Sequence, residues 1–264
     1  MTGSLEAVAR ALDGWRGDDP FVLGLCGAQG SGKSTLSEGL AQRLNARGIR
    51  TAILSLDDLY LSHEKRGALA REVHPLFATR GVPGTHDVEH GVALLDAVKA
   101  GRGVTLPRFD KATDDPAPET EWAKLDTGLD VLIFEGWCVG ARPQEEAALA
   151  EPVNGLEAER DPDGVWRRHA NVALAGPYAD LFARIDRLVL LAAPGFEVVE
   201  RWRLQQEHAL RAQAPQGARV MSDAEVATFI QHYERLTRHI LSAMPAYADL
   251  TLYLGADRQL KDDQ

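Results

Sequence analysis

Residues 27 to 34, Gly-Ala-Gln-Gly-Ser-Gly-Lys-Ser, fit the pattern G-x-x-x-x-G-K-[ST]. Glycines at these spacings let backbone N–H groups converge on phosphate oxygens. The run follows an apolar stretch, Phe21 to Cys26, and opens a helical one, Ser34 to Arg47. A helix starting there adds positive partial charge at the same point. Gly27, Ala28, Gln29, Gly30, Ser31, Gly32, Lys33, Ser34 and Thr35 are therefore expected to cradle a nucleoside triphosphate. Lys33 should reach the outer phosphates, and the Ser34 hydroxyl should hold Mg²⁺.

Two acidic positions complete that chemistry. Glu135 ends the apolar run Val131 to Phe134, where an acid acts on Mg²⁺ directly or through water. Gly136, next to it, leaves room for another group to approach. Asp57 and Asp58 follow a second strand-like run, Thr51 to Leu56. A carboxylate facing the terminal phosphate can accept the proton of an attacking hydroxyl. Asp57 is the expected base, a metal ligand, or both, while Asp58 is free to cap the turn. The implied reaction is phosphoryl transfer, which needs an acceptor. Arg80, His86, Arg108 and Lys111 offer positive or hydrogen-bonding groups for a small anionic one, and arginine makes the better carboxylate fork. Gly81, Pro83 and Gly84 form a turn able to present Thr85 and His86. Asp87 either orients His86 or caps the helix that follows. Tyr60 reaches the acceptor or packs its ring, and Trp137 walls the pocket or fills the core. His74, ahead of Pro75, reads as structural. On the helix Phe196 to Gln213, the residues Arg203, Gln206 and Glu207 share one face. Arg203 is the expected lid arginine, neutralising charge as the phosphoryl group moves.

Positioning these groups requires a strand-based frame. Strands are expected at Phe21–Cys26, Thr51–Leu56, Val104–Leu106, Val131–Phe134, Arg187–Ala192 and Leu250–Leu254. Helices are expected at 4–15, 34–47, 88–100, 172–183, 196–213 and 222–242, with a capping box at Ser222 and Glu225. Alternation of this kind gives an α/β fold with a doubly wound, mostly parallel sheet. Ligands then bind beyond the carboxyl ends of the strands, where the phosphate loop, Asp57 and Glu135 would meet. Residues 62–86, 109–124 and 142–168 read as largely irregular, which suits functional loops or lids. The 264 residues make one domain, with a helix at 4–15, acceptor-site loops over about 57–124 and a lid over about 196–219.

Bulk properties narrow the partners. The net charge of −10 argues against nucleic acid, whose binding needs a positive stripe. No apolar run approaches the roughly 18 residues of a membrane span, and Met1 to Arg10 lacks the pattern of a signal peptide. Cys26 and Cys138 sit in apolar surroundings and read as small buried thiols. The expectation is a reduced, cytoplasmic protein with a small-molecule acceptor; its oligomeric state is left open.

The order of strand, phosphate loop, Ser55-Leu56-Asp57-Asp58-Leu59-Tyr60 and then Phe134-Glu135-Gly136 resembles the uridine kinase, phosphoribulokinase and pantothenate kinase group. That resemblance implies ATP and Mg²⁺ as cofactors and Asp57 as base. Further blocks are similar to the D-glycerate 3-kinase family: His74-Pro75-Leu76, the run Arg80 to Asp87, Leu106 to Lys111, Glu135 to Gly140, Pro152-Val153-Asn154 and Arg201 to Glu207. The likeness runs from about Phe21 to Leu254 and implies D-glycerate as acceptor and 3-phosphoglycerate as product. The alternatives are a nucleoside or pantothenate-like acceptor, or a nucleotide switch that transfers nothing. Asp57 and the Arg80–Asp87 block weigh against the switch, which needs no second small-molecule pocket.

Overall fold

A computed structural model describes residues 2–213 and 221–261. In chain order it begins with α1 (Thr2–Trp15), β1 (Phe21–Gly27), α2 (Lys33–Ala46) and β2 (Thr51–Ser55). An insertion follows: α3 (His63–Glu72), α4 (Val88–Lys99), β3 (Val104–Leu106), β4 (Phe109–Asp110), β5 (Asp115–Pro116) and β6 (Ala123–Leu125). The chain then forms β7 (Val131–Gly136), α5 (Gly155–Arg160), α6 (Val165–Ala175), α7 (Pro177–Phe182) and β8 (Arg187–Ala192). It closes with α8 (Phe196–Gln213), α9 (Asp223–Ala243) and β9 (Leu250–Tyr253).

Five strands make the central sheet in the order β2-β7-β1-β8-β9, all parallel. β1 and β7 are apolar on both faces because helices cover both, so every residue of each is buried. α1 turns Val8, Ala9 and Leu12 inward at helical spacing. In α2 the buried positions Leu36, Leu40 and Leu44 recur every fourth residue. Register matters most for the site. Glu135 lies opposite Leu25 on one side and Ser55 on the other. The ends of β1, β7 and β2 therefore stand level, and whatever follows each strand enters one crevice.

Several local expectations change. Val104–Leu106 is a strand, but it pairs antiparallel with β6 in a two-stranded ribbon outside the central sheet. The helix read over 172–183 is two helices, because Pro177 has no N–H to donate and disfavours helical backbone at Gly176. The stretch 62–86 contains α3, capped by the Ser62 hydroxyl, and a 3₁₀ turn at Pro75–Ala78 capped by the His74 ring. α5 and the start of α6 occupy part of 142–168. The capping box at Ser222 and Glu225 is formed. Of the expected lid, residues 214–219 lie outside the described residues. Both cysteines are buried and unpaired, and burial pushes the Cys26 thiol up to about 12. No helix among the described residues is long and apolar enough to cross a membrane.

Candidate active site

α2 begins directly on Lys33, with Gly32 ahead of it in the left-handed region. The open N–H groups of this 14-residue helix face the loop, as anion binding requires. Gly30 has φ +74°, and a Cβ there would come within 2.7 Å of Trp202 Cβ. Helix α8 is thus packed on the backbone of the phosphate loop, at a position only glycine fills without strain. From the other end of the chain, Arg258 Nε donates to the Gly30 carbonyl at 2.6 Å and Nη2 donates to Gln205 Oε1 at 2.9 Å. Gly30, Gly32, Lys33, Ser34 and Thr35 share a cleft of about 430 Å³ with Gln205, Gln206 and Arg258.

A second cavity of about 260 Å³ opens beside it, sharing Gly30, Lys33, Ser34 and Gln206. Here the strand ends converge: Ser55, Asp57 and Glu135 line it together with Gln29. Burial holds the Glu135 carboxyl above its ordinary range, although Lys33 pulls it down. Its Oε2 is buried with no hydrogen-bond partner. An orphan carboxylate oxygen beside a lysine and two serine hydroxyls suits a hard cation that completes its shell with phosphate oxygens and water. No cluster of three His, Cys, Asp or Glu among the described residues makes a closed cage, so a cation held by Glu135 and Ser34 would need further ligands from a bound nucleotide or water.

Asp57 sits in a single 3₁₀ turn, Leu56–Leu59, with its N–H bonded to the Ser55 hydroxyl. Tyr60 donates its phenol to Oδ1 at 2.9 Å, and Lys111 reaches Oδ2 at 2.6 Å. Burial alone would raise this carboxyl, but Lys111, then Lys33 and Tyr60, bring it down to about 2. Asp57 is therefore ionised across the physiological range, with a donor on each oxygen. Asp58 turns away, with its Oδ1 accepting the Phe109 N–H at 3.1 Å.

On the far wall stand Arg80, Trp137, Arg203, Phe229 and Tyr233. Arg80 is tied to Asp114, and its guanidinium lies over the Phe109 ring. Arg203 pairs with Glu207 at 2.6 Å and leaves Nη1 buried without a partner. Trp137 does both things expected of it: it lines the cavity and packs edge-on against Tyr233, donating Nε1 to the Gly81 carbonyl.

Three expected acceptor residues do not line this cavity. Asp87 caps α4 by accepting the His90 N–H at 3.1 Å, and does not orient His86. His86 is buried behind Tyr60, with ring centroids 4.5 Å apart, and its Nδ1 meets the Tyr178 hydroxyl. Arg108 is exposed and pairs with Asp58 at 3.3 Å. Conversely, Tyr233, Phe229, Asp114 and Arg258 belong to the site or its support without any motif to announce them.

Comparison with known proteins places this arrangement. The model of the phosphoribulokinase/uridine kinase family matches residues 22–141. An uncharacterised kinase of Schizosaccharomyces pombe is 38% identical over 246 residues, covering 89% of this chain and 82% of the relative. The chloroplastic D-glycerate 3-kinase of Arabidopsis thaliana is 32% identical over 82% of this chain, which spans 47% of that protein's length. A D-glycerate 3-kinase structure from Cryptococcus neoformans superposes with a TM-score of 0.76 at 27% identity, covering 98% of this chain and 95% of the other.

Proposed function

This chain belongs to the phosphoribulokinase/uridine kinase family of P-loop kinases, and we propose that within it the acceptor is D-glycerate, phosphorylated to 3-phosphoglycerate at the expense of ATP. One observation carries the choice of an anionic acceptor. Four cations, Lys33, Arg80, Lys111 and Arg203, line the central cavity against two carboxylates, Asp57 and Glu135, in a chain whose net charge is −10. Lys33 and Arg203 flank the phosphate loop and suit the triphosphate. Arg80 and Lys111 remain for a negative group on the acceptor. The sequence and structural likeness to D-glycerate 3-kinases supports glycerate as that acceptor.

In this reading Ser34 and Glu135, with Asp57 near by, would hold Mg²⁺, which when bound neutralises charge on the outer phosphates. Lys33 and the open N–H groups of α2 fix those phosphates. Asp57 orients the acceptor hydroxyl and takes its proton. Arg203, with its Nη1 left without a partner, steadies the transferring phosphoryl group.

A panel of D-glycerate, L-glycerate, uridine and pantothenate, read by phosphate transfer from ATP, tests the acceptor. D-Glycerate should give the highest kcat/KM. Preference for uridine or pantothenate would replace this reading. Asp57→Asn should lose transfer by about 10²-fold or more while still binding ATP, as expected for removal of a general base. Full activity in that variant would remove Asp57 from the role.

A further inference from the structure

We propose that Lys111 is an exchangeable cover on Asp57, displaced by the acceptor's own carboxylate. It thereby makes the base available to an anionic acceptor and withholds it from water and neutral alcohols. This rests on the reading of the acceptor as a small hydroxy acid.

Both oxygens of the Asp57 carboxylate carry a donor: Tyr60 on Oδ1 and Lys111 on Oδ2. The two donors differ in freedom. Tyr60 is buried between the His86 ring, stacked on it, and Phe109, edge-on to it. Lys111 is 59% exposed on the turn that joins β4 to β5. Only Oδ2 can be uncovered without repacking the core. The turn that carries Lys111 is itself held at its root. Asp110 accepts from the Ala112 N–H at 2.8 Å and from the Thr113 hydroxyl at 2.9 Å. Asp114 binds the buried Arg66 at 2.8 Å and also Arg80. The ammonium can therefore swing on a fixed stem.

Arg80 lines the same cavity and is held there by Asp114. A carboxylate entering between Arg80 and Lys111 can take the ammonium from Asp57. One ion pair replaces another, and the Asp57 carboxylate keeps the Tyr60 bond on Oδ1 while its charge on Oδ2 is uncovered to accept a proton. With Oδ2 free, the acceptor hydroxyl oxygen attacks the γ-phosphorus and its proton passes to Oδ2. The new O–P bond forms as the bond from that phosphorus to the β,γ-bridging oxygen breaks, and ADP leaves with the electron pair. Glycerol or water brings no charge to draw the ammonium away, so the base stays covered.

The test uses Lys111→Ala and Lys111→Met, both at an exposed position where folding should persist, as a thermal melt will verify. Two quantities are measured: ATP hydrolysis without acceptor, and the ratio of kcat/KM for D-glycerate over glycerol. The exchange predicts that hydrolysis rises about threefold or more, while the glycerate preference falls about tenfold or more through a higher KM for glycerate. Hydrolysis at or below the wild-type rate in both variants overturns it, whatever happens to glycerate. If the wild-type protein uses no glycerate, the acceptor reading fails, and the hydrolysis arm still decides the exchange by itself.

Discussion

The phenol of Tyr60 donates to Oδ1 of Asp57 at 2.9 Å, and that bond fixes which way the carboxylate faces. The two stand three positions apart in the chain, so a single 3₁₀ turn at Leu56–Leu59 suffices to bring them together. Tyr60 cannot drift, because its ring is stacked on His86 and its backbone bridges to the same residue.

Tyr60→Phe keeps the ring and removes the bond. Hydrogen bonds to charged groups contribute about 1.5–3 kcal/mol. The Leu56–Leu59 turn and the Ser55 hydroxyl on the Asp57 N–H still hold the residue, so the lower end applies, and kcat should fall about tenfold with little change in the KM for ATP. Steady-state kinetics with both substrates varied will show it; an unchanged kcat would mean that the turn orients the carboxylate without Tyr60.

Gly81→Ala should disturb the acceptor side from a distance. Gly81 has φ +136°, and a Cβ there would overlap the Tyr233 hydroxyl, which donates to the Arg80 carbonyl at 3.1 Å. Strained backbone of this kind costs about 1–3 kcal/mol. The denaturation midpoint should drop accordingly and the acceptor KM should rise. Wild-type values for both would show that the turn relaxes freely.

Asp114→Ala removes the carboxylate shared by Arg66 and Arg80. Arg66 is almost fully buried but retains three carbonyl partners, at Leu61, Ala78 and residue 114 itself. A third of Asp114 is exposed, so solvent screens part of the pairing, and a loss of about 1–3 kcal/mol is expected rather than the larger figure for a sealed pair. The same change frees the stem of Lys111. Acceptor KM should therefore rise together with the loss of stability, and a stability loss with unchanged acceptor KM would separate the ribbon from the site.

Burial lowers the His86 imidazole to about 3 from its ordinary 6.5. Between those two values the unfolded chain takes up a proton that the folded chain refuses. Stability therefore falls as pH drops through that window, by at most about 1.4 kcal/mol per pH unit from this group. Asp57 adds to the loss lower down, because its depressed carboxyl stabilises the fold above its ordinary 3.8 and loses that effect as pH falls towards 2. Urea denaturation at pH 7 and pH 5 should show a smaller difference for His86→Gln than for the wild type. Some slope should remain, since burial also lowers His169, His232 and His239. Equal slopes in the two proteins would show that His86 is not held neutral.

Features that depend on neighbours in the chain were the legible ones. The phosphate loop is contiguous, and Asp57 and Glu135 each follow an apolar run long enough to read as a strand. Their convergence follows from parallel register alone. What the sequence hid is brought in by packing. Arg258 reaches the Gly30 carbonyl across 228 positions, and Tyr233 lies 153 positions from the carbonyl it bonds. Neither carries a periodic or spacing signal. α3 was hidden for a different reason: its sequence has almost no apolar face, and only one of its ten residues, Arg66, is buried. His86 and Asp87 looked like site residues because they sit in a distinctive block. The structure uses one as packing behind Tyr60 and the other as a helix cap. The Gly176–Pro177 break was readable, and the apolar spacing across it was misleading.

Whether the triphosphate bound at residues 27–34 is spent on glycerate, as proposed, is decided by the coupling ratio. ADP and phosphoglycerate are to be quantified in the same reaction, with ATP, Mg²⁺ and D-glycerate present. One phosphoglycerate is expected for each ADP, with little ADP when glycerate is left out. ADP formation at the same rate with and without glycerate, with no phosphoglycerate formed, would contradict it.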